Sequence, residues 1–395
     1  MTKTITVDER RARLARRHLL LPEHRTDDVA AIADAVVALH SSDPVTVYLS
    51  AAARMRTPSF DAVEAALYDQ RTVVRHHAMR RTLWVATPDV ARAMHAAATR
   101  RLVGPEERRT LKLLADNGID DPVTWLADAR AQALAALHEH GPMNARQLGE
   151  RVPALRHPIQ MAPGKSYGAV AAAHTRVLLS LGFEGEVLRT RPSGTWVNGA
   201  YTYAATDSWL DGGLGELKED EAAATLAHRW LARFGPATSA DLQWWMGWTV
   251  ALTKRALADS GATPVEIEQQ SGPAVAGWVA RDDEPTEPVD PWVAVLPSLD
   301  PTTMGWKLRD WYLDPACADA FDRNGNAGPT IWVDGRVVGA WAQTKDGELR
   351  SHYFHDTTAR QRRAVDDELA RLRDLVGETR FSVRFPGLIQ KALLA

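Results

Sequence analysis

The sequence is poor in the residues that staple a chain together or anchor it. Among 395 residues there is one cysteine, Cys317. A lone thiol closes no internal disulfide and supplies no Cys-rich zinc site, so packing must carry the stability. No run of 18 uninterrupted apolar residues occurs, and the start, MTKTITVDERRARLARR, is charged without the apolar stretch of a secretory signal. These absences predict a soluble, cytoplasmic protein with no metal and no cofactor. Lysine is scarce too, 8 residues against 39 arginines. Ala- and Arg-rich usage of this kind follows from a GC-rich genome and by itself says little about function.

Net charge is nearly absent, −3 from 47 basic and 50 acidic side chains, which argues against a nucleic-acid partner. Its distribution argues otherwise. Residues 1–206 hold 27 basic and 21 acidic groups (+6), residues 207–300 hold 6 and 16 (−10), and residues 301–395 hold 14 and 13 (+1). A positive first half beside an acidic middle can bind an anionic ligand with one part and repel it with another. On this reading the binding face belongs to the first half, and the acidic stretch faces away or acts as a spacer.

Hydrophobic content of 45% over this length is enough for about two to four domains with real cores. Helical spacing joins Val29, Ile32, Val36, Val37 and Leu39, and Arg81 to Ala86 reads as a short strand. A repeat follows. Helices over about 128–140, through Leu148, and over about 167–181 precede strands at Glu186–Arg189 and Thr195–Val197, which is winged-helix order. A second unit repeats the order, and Gly141-Pro142-x-Asn144 aligns with Gly235-Pro236-x-Thr238 at an offset of 94 residues. After an acidic linker at 281–290 come strands about Trp292–Leu296, Thr330–Val333 and Arg336–Trp341. A hairpin turn sits at Asp334-Gly335, a helix spans about 357–376, and a last strand covers Arg380–Phe385. The fold expected is helix-rich α+β, tandem winged-helix units with a β-rich C-terminal part. The divisions are 1–125, 126–206, 207–285 and 286–395.

Chemistry-bearing residues are few. Gly164-Lys165-Ser166 lacks the first glycine of a phosphate loop, that position being Ile159. Gly164-x-Ser166-x-Gly168 matches a nucleophile elbow, but the prolines and polar residues before it deny a buried strand, so Ser166 reads better as a helix cap than as a hydrolase nucleophile. The pairs His138/His140, His76/His77 and His352/His355 lack a third ligand at metal spacing. Arg189 and Arg191 share one face of a wing strand and, with Arg176 on the preceding helix, either contact phosphates or form an ordinary charged face. The polar break His40-Ser41-Ser42-Asp43-Pro44, followed by Tyr48 and Arg54, either handles water beside an imidazole or simply caps a helix.

The stretches Ala38-Leu39-His40-Ser41-Ser42-Asp43-Pro44, Met79-Arg80-Arg81-Thr82-Leu83-Trp84, Gly235-Pro236-Ala237-Thr238, Leu296-Pro297-Ser298-Leu299-Asp300-Pro301 and Val333 to Gly339 occur in an informative order. In that order the chain resembles the winged-helix DNA-binding family that includes the bacterial glycosylases AlkZ and YcaQ. The resemblance implies three winged-helix units, a β-rich C-terminal part and a concave face for double-stranded DNA. It also implies excision of bulky or cationic alkylpurines, interstrand crosslinks included. Family members carry Gln-x-Gln or Gln-x-Asp where this chain has His40 and Ser42. His40 is then expected to orient water and accept a proton, Ser42 to assist, and Asp43 to orient His40 or stabilise the sugar cation. Arg54, Arg176, Arg189 and Arg191 are expected on DNA. A protein that has lost excision but still binds DNA, such as a regulator, is the alternative. The protein is expected to be a monomer.

Overall fold

The computed structural model describes residues 3–161, 164 and 168–394. Ser166 and its proposed cap lie outside them. The chain is helix-rich α+β with five small sheets among the described residues.

Near the N-terminus the helix Val29–Ala35 ends early. Val37 takes a positive φ of 62°, and Leu39–His40 becomes a strand pairing with Leu83–Ala86, which in turn pairs with Val74–His77. The apolar spacing that continues through Leu39 is therefore a helix and a strand sharing one core. Asp43 caps the next helix, Pro44–Ala52, with proline at its first position, where no amide is needed.

Both Gly-Pro-x-cap signals mark helix starts with reciprocal capping. Asn144 and Gln147 satisfy each other's amides at the start of Ala145–Arg151, and Thr238 and Asp241 do so for Ser239–Met246. The first set continues with helices Pro122–His140 and His174–Glu184 and the strands Val187–Pro192 and Tyr201–Ala205. The second continues with Glu219–Phe234, Val250–Asp259 and the hairpin Thr263–Ile267/Val275–Val279. Strand Thr4–Ile5 joins that hairpin in parallel.

Three local expectations need correction. The helix expected from 167 starts at His174, because Ala169–Ala172 instead pairs with Pro158–Met161 in a surface hairpin that leaves Val170 exposed. Proline does not deny the strand there, since an edge strand has no need of its amide. The wing's return strand is Tyr201–Ala205, not Thr195–Val197. Residues 380–385 form no strand. The Phe381 amide donates to Gln343 Oε1 and the Arg384 amide to Asp43 Oδ2, so side chains take the bonds a ladder would.

The C-terminal sheet runs Val293–Leu296, Thr330–Val333, Arg336–Gln343, Leu349–Tyr353, all antiparallel. Asp334 and Gly335 both have positive φ, 48° and 78°, as a two-residue hairpin demands. Helix Ala359–Val376 lays Val365, Leu369 and Val376 against this layer. Trp230, Trp245, Trp332 and Trp341 are fully buried in one core shared by the N-terminal, 219–257 and C-terminal parts, while Leu126, Leu137, Leu148, Val177 and Leu181 belong to a separate core. The acidic linker is no free spacer, because Asp283 holds Arg13 at 2.6 Å and Arg17 at 2.7 Å.

Candidate functional site

His40 ends its short strand with the ring edge-on to Trp84, centroids 4.7 Å apart. The Ser42 amide donates to His40 Nδ1 at 3.4 Å. A neutral imidazole has one acceptor and one donor nitrogen, so this bond assigns the ring hydrogen to Nε2. Among the described residues Nε2 has no partner, and it is not among the polar atoms sealed from solvent. Burial, aided by the nearby Arg80 charge, pushes the ring's pKa down to about 3. His40 is therefore a neutral donor at physiological pH, and its lone pair is already committed to the loop. The sequence expectation that it accepts a proton does not fit this arrangement.

Both Asp43 oxygens are taken by main-chain amides, Val45 at 3.3 Å and Arg384 at 2.8 Å. Burial raises its pKa, with those hydrogen bonds opposing. No hydrogen bond joins Asp43 to His40 among the described residues. Arg384 also donates to the Ser42 carbonyl at 3.2 Å, which brings an exposed guanidinium from the far end of the chain onto this loop.

Beyond Trp84 lies a second cationic group. Trp84 Nε1 donates to Met79 O at 3.3 Å, and its ring packs on Trp245 at 5.2 Å. Arg80 follows Met79 in left-handed conformation (φ 53°) with its guanidinium 4.3 Å from the Trp244 ring centroid, and Arg309 approaches the same ring at 5.4 Å. Sequence reasoning gave none of Arg80, Trp244, Arg309 or Arg384 a role. Met79-Arg80-Arg81 counted only towards the resemblance, and no local pattern marks the other three.

The expected DNA-binding arginines separate. Arg54 is wholly buried, its fork bidentate on Asp300 at 2.8 and 2.9 Å with further bonds to His18 O, Ser50 O and Thr302, so it has no surface for a phosphate. Arg191 is half-exposed but tied to Glu64 at 2.6 Å and Asp69 at 2.9 Å, over the Tyr68 ring. Its wing strand thus leans on the N-terminal part instead of projecting free. Arg189 lies 5.8 Å from both the Tyr201 and Tyr203 rings. Arg176 is half-buried, and Arg81, Arg109 and Glu106 all act on its charge. Glu106 itself pairs with Arg81 at 2.7 Å and Arg109 at 3.2 Å, leaving the group net positive.

The histidine pairs do not converge as ligands. His138 binds Asp207 at 2.9 Å, and His76 meets His95 at 3.3 Å in a buried contact. Among the described residues no group of three or more His, Cys, Asp or Glu could hold a metal ion. None of their helices is long and apolar enough to cross a membrane.

Two helix-and-hairpin repeats, a neutral histidine and, at Arg80 and Arg309, guanidinium groups without ion pairs among the described residues suit the binding of an anionic ligand. The family described as DNA glycosylase AlkZ-like matches residues 33–375. No curated protein matches in sequence. The solved structure of Streptomyces sahachiroi DNA glycosylase AlkZ is similar with a TM-score of 0.73 at 19% identity, over 96% of this chain and 99% of that one. The chain belongs to the AlkZ-like DNA glycosylase family, enzymes that hydrolyse N-glycosidic bonds in DNA.

Proposed function

We propose that this glycosylase is monofunctional and excises alkylated purines, cationic or bulky, from double-stranded DNA, acting as a cytoplasmic monomer. The units 1–125, 126–206, 207–285 and 286–395 form its framework. A purine alkylated at N7 or N3 already carries positive charge and departs without a general acid, so the protein has to place water and favour an oxocarbenium-like sugar. The observation that carries this reading is the His40 ring, with Nδ1 held by the Ser42 amide and Nε2–H open. That N–H donates to the oxygen of a water and leaves its second lone pair for C1′; as the C1′–O bond forms, the electron pair of the broken glycosidic bond leaves with the purine, and the water's proton passes to solvent. Positioning of this kind is also what a glutamine amide does, which accounts for histidine standing where relatives carry glutamine. Ser42 assists by fixing the ring. Asp43 is a positioning residue that ties Arg384 and the helix Pro44–Ala52 to the loop. Arg176 and Arg189 face the backbone of the duplex.

The test is a duplex containing one N7-methylguanine, with abasic sites read as strand breaks after mild alkali. Excision by the wild type, lost in His40→Ala, is expected. Absence of release from this lesion and from a bulky adduct, with tight duplex binding retained, would overturn the reading in favour of a non-catalytic DNA-binding protein.

A further inference from the structure

We propose that Arg80 and Arg309 form a receptor for one backbone phosphate of the lesion-bearing strand, mounted on Trp244 beside His40. Two guanidinium groups approach this single indole, at 4.3 and 5.4 Å. Cations placed together repel, and inward-facing charges in proteins are normally paired. Among the described residues neither guanidinium forms an ion pair. Arg80 Nε is sealed from solvent without an acceptor. Arg309 is held by neutral groups only, the Trp306 and Gly325 carbonyls at 3.0 and 3.2 Å, Met304 Sδ at 3.7 Å and the Phe321 ring, whose centroid at 4.8 Å is nearer than that of Trp244. Burial, with Arg309 adding to it, pushes the Arg80 pKa down to about 10, so both groups are still charged at neutral pH.

The backbone holds this unfavourable placement deliberately. Arg80 and Arg81 both occupy left-handed conformations, φ 53° and 64°, which side-chain-bearing residues rarely adopt in succession. Gly247, itself at φ 67°, admits the Arg80 stem, since a Cβ there would sit 3.2 Å from Arg80 Cγ. Strain and uncompensated charge gathered in one place mark a site completed by a ligand, and the missing component is an anion. A guanidinium set over an aromatic face keeps N–H groups with which to bind phosphate oxygens. The location selects the anion. The Arg80 charge acts on the His40 ring, and Trp84, which meets that ring, packs on Trp245, the residue next to Trp244 in sequence, so the receptor lies near the water-placing nitrogen. Holding a phosphate next to the damaged nucleotide would fix its sugar against His40 Nε2.

This proposal rests on the reading of His40 as the excision centre, and its test uses binding so that the two can fail separately. Duplexes carry a tetrahydrofuran abasic analogue, with each phosphate around it replaced in turn by a neutral methylphosphonate. Affinities are measured for the wild type, Arg80→Gln and Arg309→Gln. At one phosphate, neutralisation is expected to weaken the wild type roughly tenfold and to weaken Arg80→Gln and Arg309→Gln each by distinctly less. The slope of log affinity against log salt should become shallower by about 0.9 in Arg80→Gln. Arg80→Gln should also melt no lower than the wild type, because a like-charge contact is relieved, whereas a purely structural arginine would lose stability. Effects that multiply at every phosphate, or an unchanged salt slope, would overturn the proposal. A wild type that releases no N7-methylguanine yet shows the non-additive phosphate keeps the receptor and refutes only the excision chemistry.

Discussion

Arg54 and Asp300 form a wholly buried bidentate pair, Nη2 to Oδ1 at 2.8 Å and Nη1 to Oδ2 at 2.9 Å, which ties the helix Pro44–Ala52 to the C-terminal segment. Desolvation opposes ionisation of Asp300, but the Arg54 charge and the Arg54 and Ser50 hydrogen bonds win, and its pKa is lowered. Removing one partner strands the other's charge, so Arg54→Ala should destabilise the protein by about 3–5 kcal/mol. Urea unfolding measures this. The salt dependence of DNA binding in the folded fraction should stay as in the wild type.

Five histidines, His18, His40, His76, His77 and His95, are held neutral by burial, with pKa values pushed down to about 3 for His18, His40 and His77 and about 4 for His95. A base whose folded pKa is depressed stabilises the fold above its unfolded pKa, near 6.5, and loses that contribution as pH falls towards the folded value. Each group therefore adds about 1.4 kcal/mol per pH unit to the loss between those limits. The urea midpoint should fall steeply from pH 6.5 to 4.5, and a flat midpoint across that range would contradict the neutral assignments. The excision rate, by contrast, should show no ionisation near pH 6.5 attributable to His40.

The arginines expected on DNA should separate in a salt titration. Arg176→Ala should reduce the slope of log affinity against log salt by about 0.9, the value for one phosphate contact in B-DNA. Arg191→Ala should leave the slope nearly unchanged, because Glu64 and Asp69 already occupy its guanidinium. Its effect on stability should also stay below about 1 kcal/mol, as for exposed pairs.

The two capping boxes differ in what else they hold. Asn144→Ala removes only a cap and should cost about 1 kcal/mol. Asp241 also accepts the Lys307 and Leu308 amides, both at 2.9 Å, and is buried. Asp241→Ala strands these amides along with the cap, so it should cost at least twice as much in the same unfolding assay.

What was legible in the sequence is what local chemistry decides. Asn144 and Thr238 announce helix starts because a cap needs only residues three positions away, and Asp334-Gly335 announces a hairpin because its φ angles admit few residue types. The site required contacts that spacing does not encode. Arg54 reads as a surface cation until Asp300, 246 residues on, is seen to bury it. Arg80, Trp244 and Arg309 meet from three separate regions, so the segment charges that assign binding to residues 1–206 miss two of them. His40 is visible as chemistry, but its tautomer depends on the turn that brings the Ser42 amide back to the ring.

The central claim is that His40 places water through Nε2–H and does not act as a base. Single-turnover excision of N7-methylguanine by His40→Gln and His40→Ala tests it most directly. The account predicts that His40→Gln, whose amide also donates, keeps much of the rate while His40→Ala loses it by roughly a hundredfold or more, in the range for a lost catalytic hydrogen bond. Equal loss in both variants would point to a base, and wild-type rates in His40→Ala would remove His40 from the reaction.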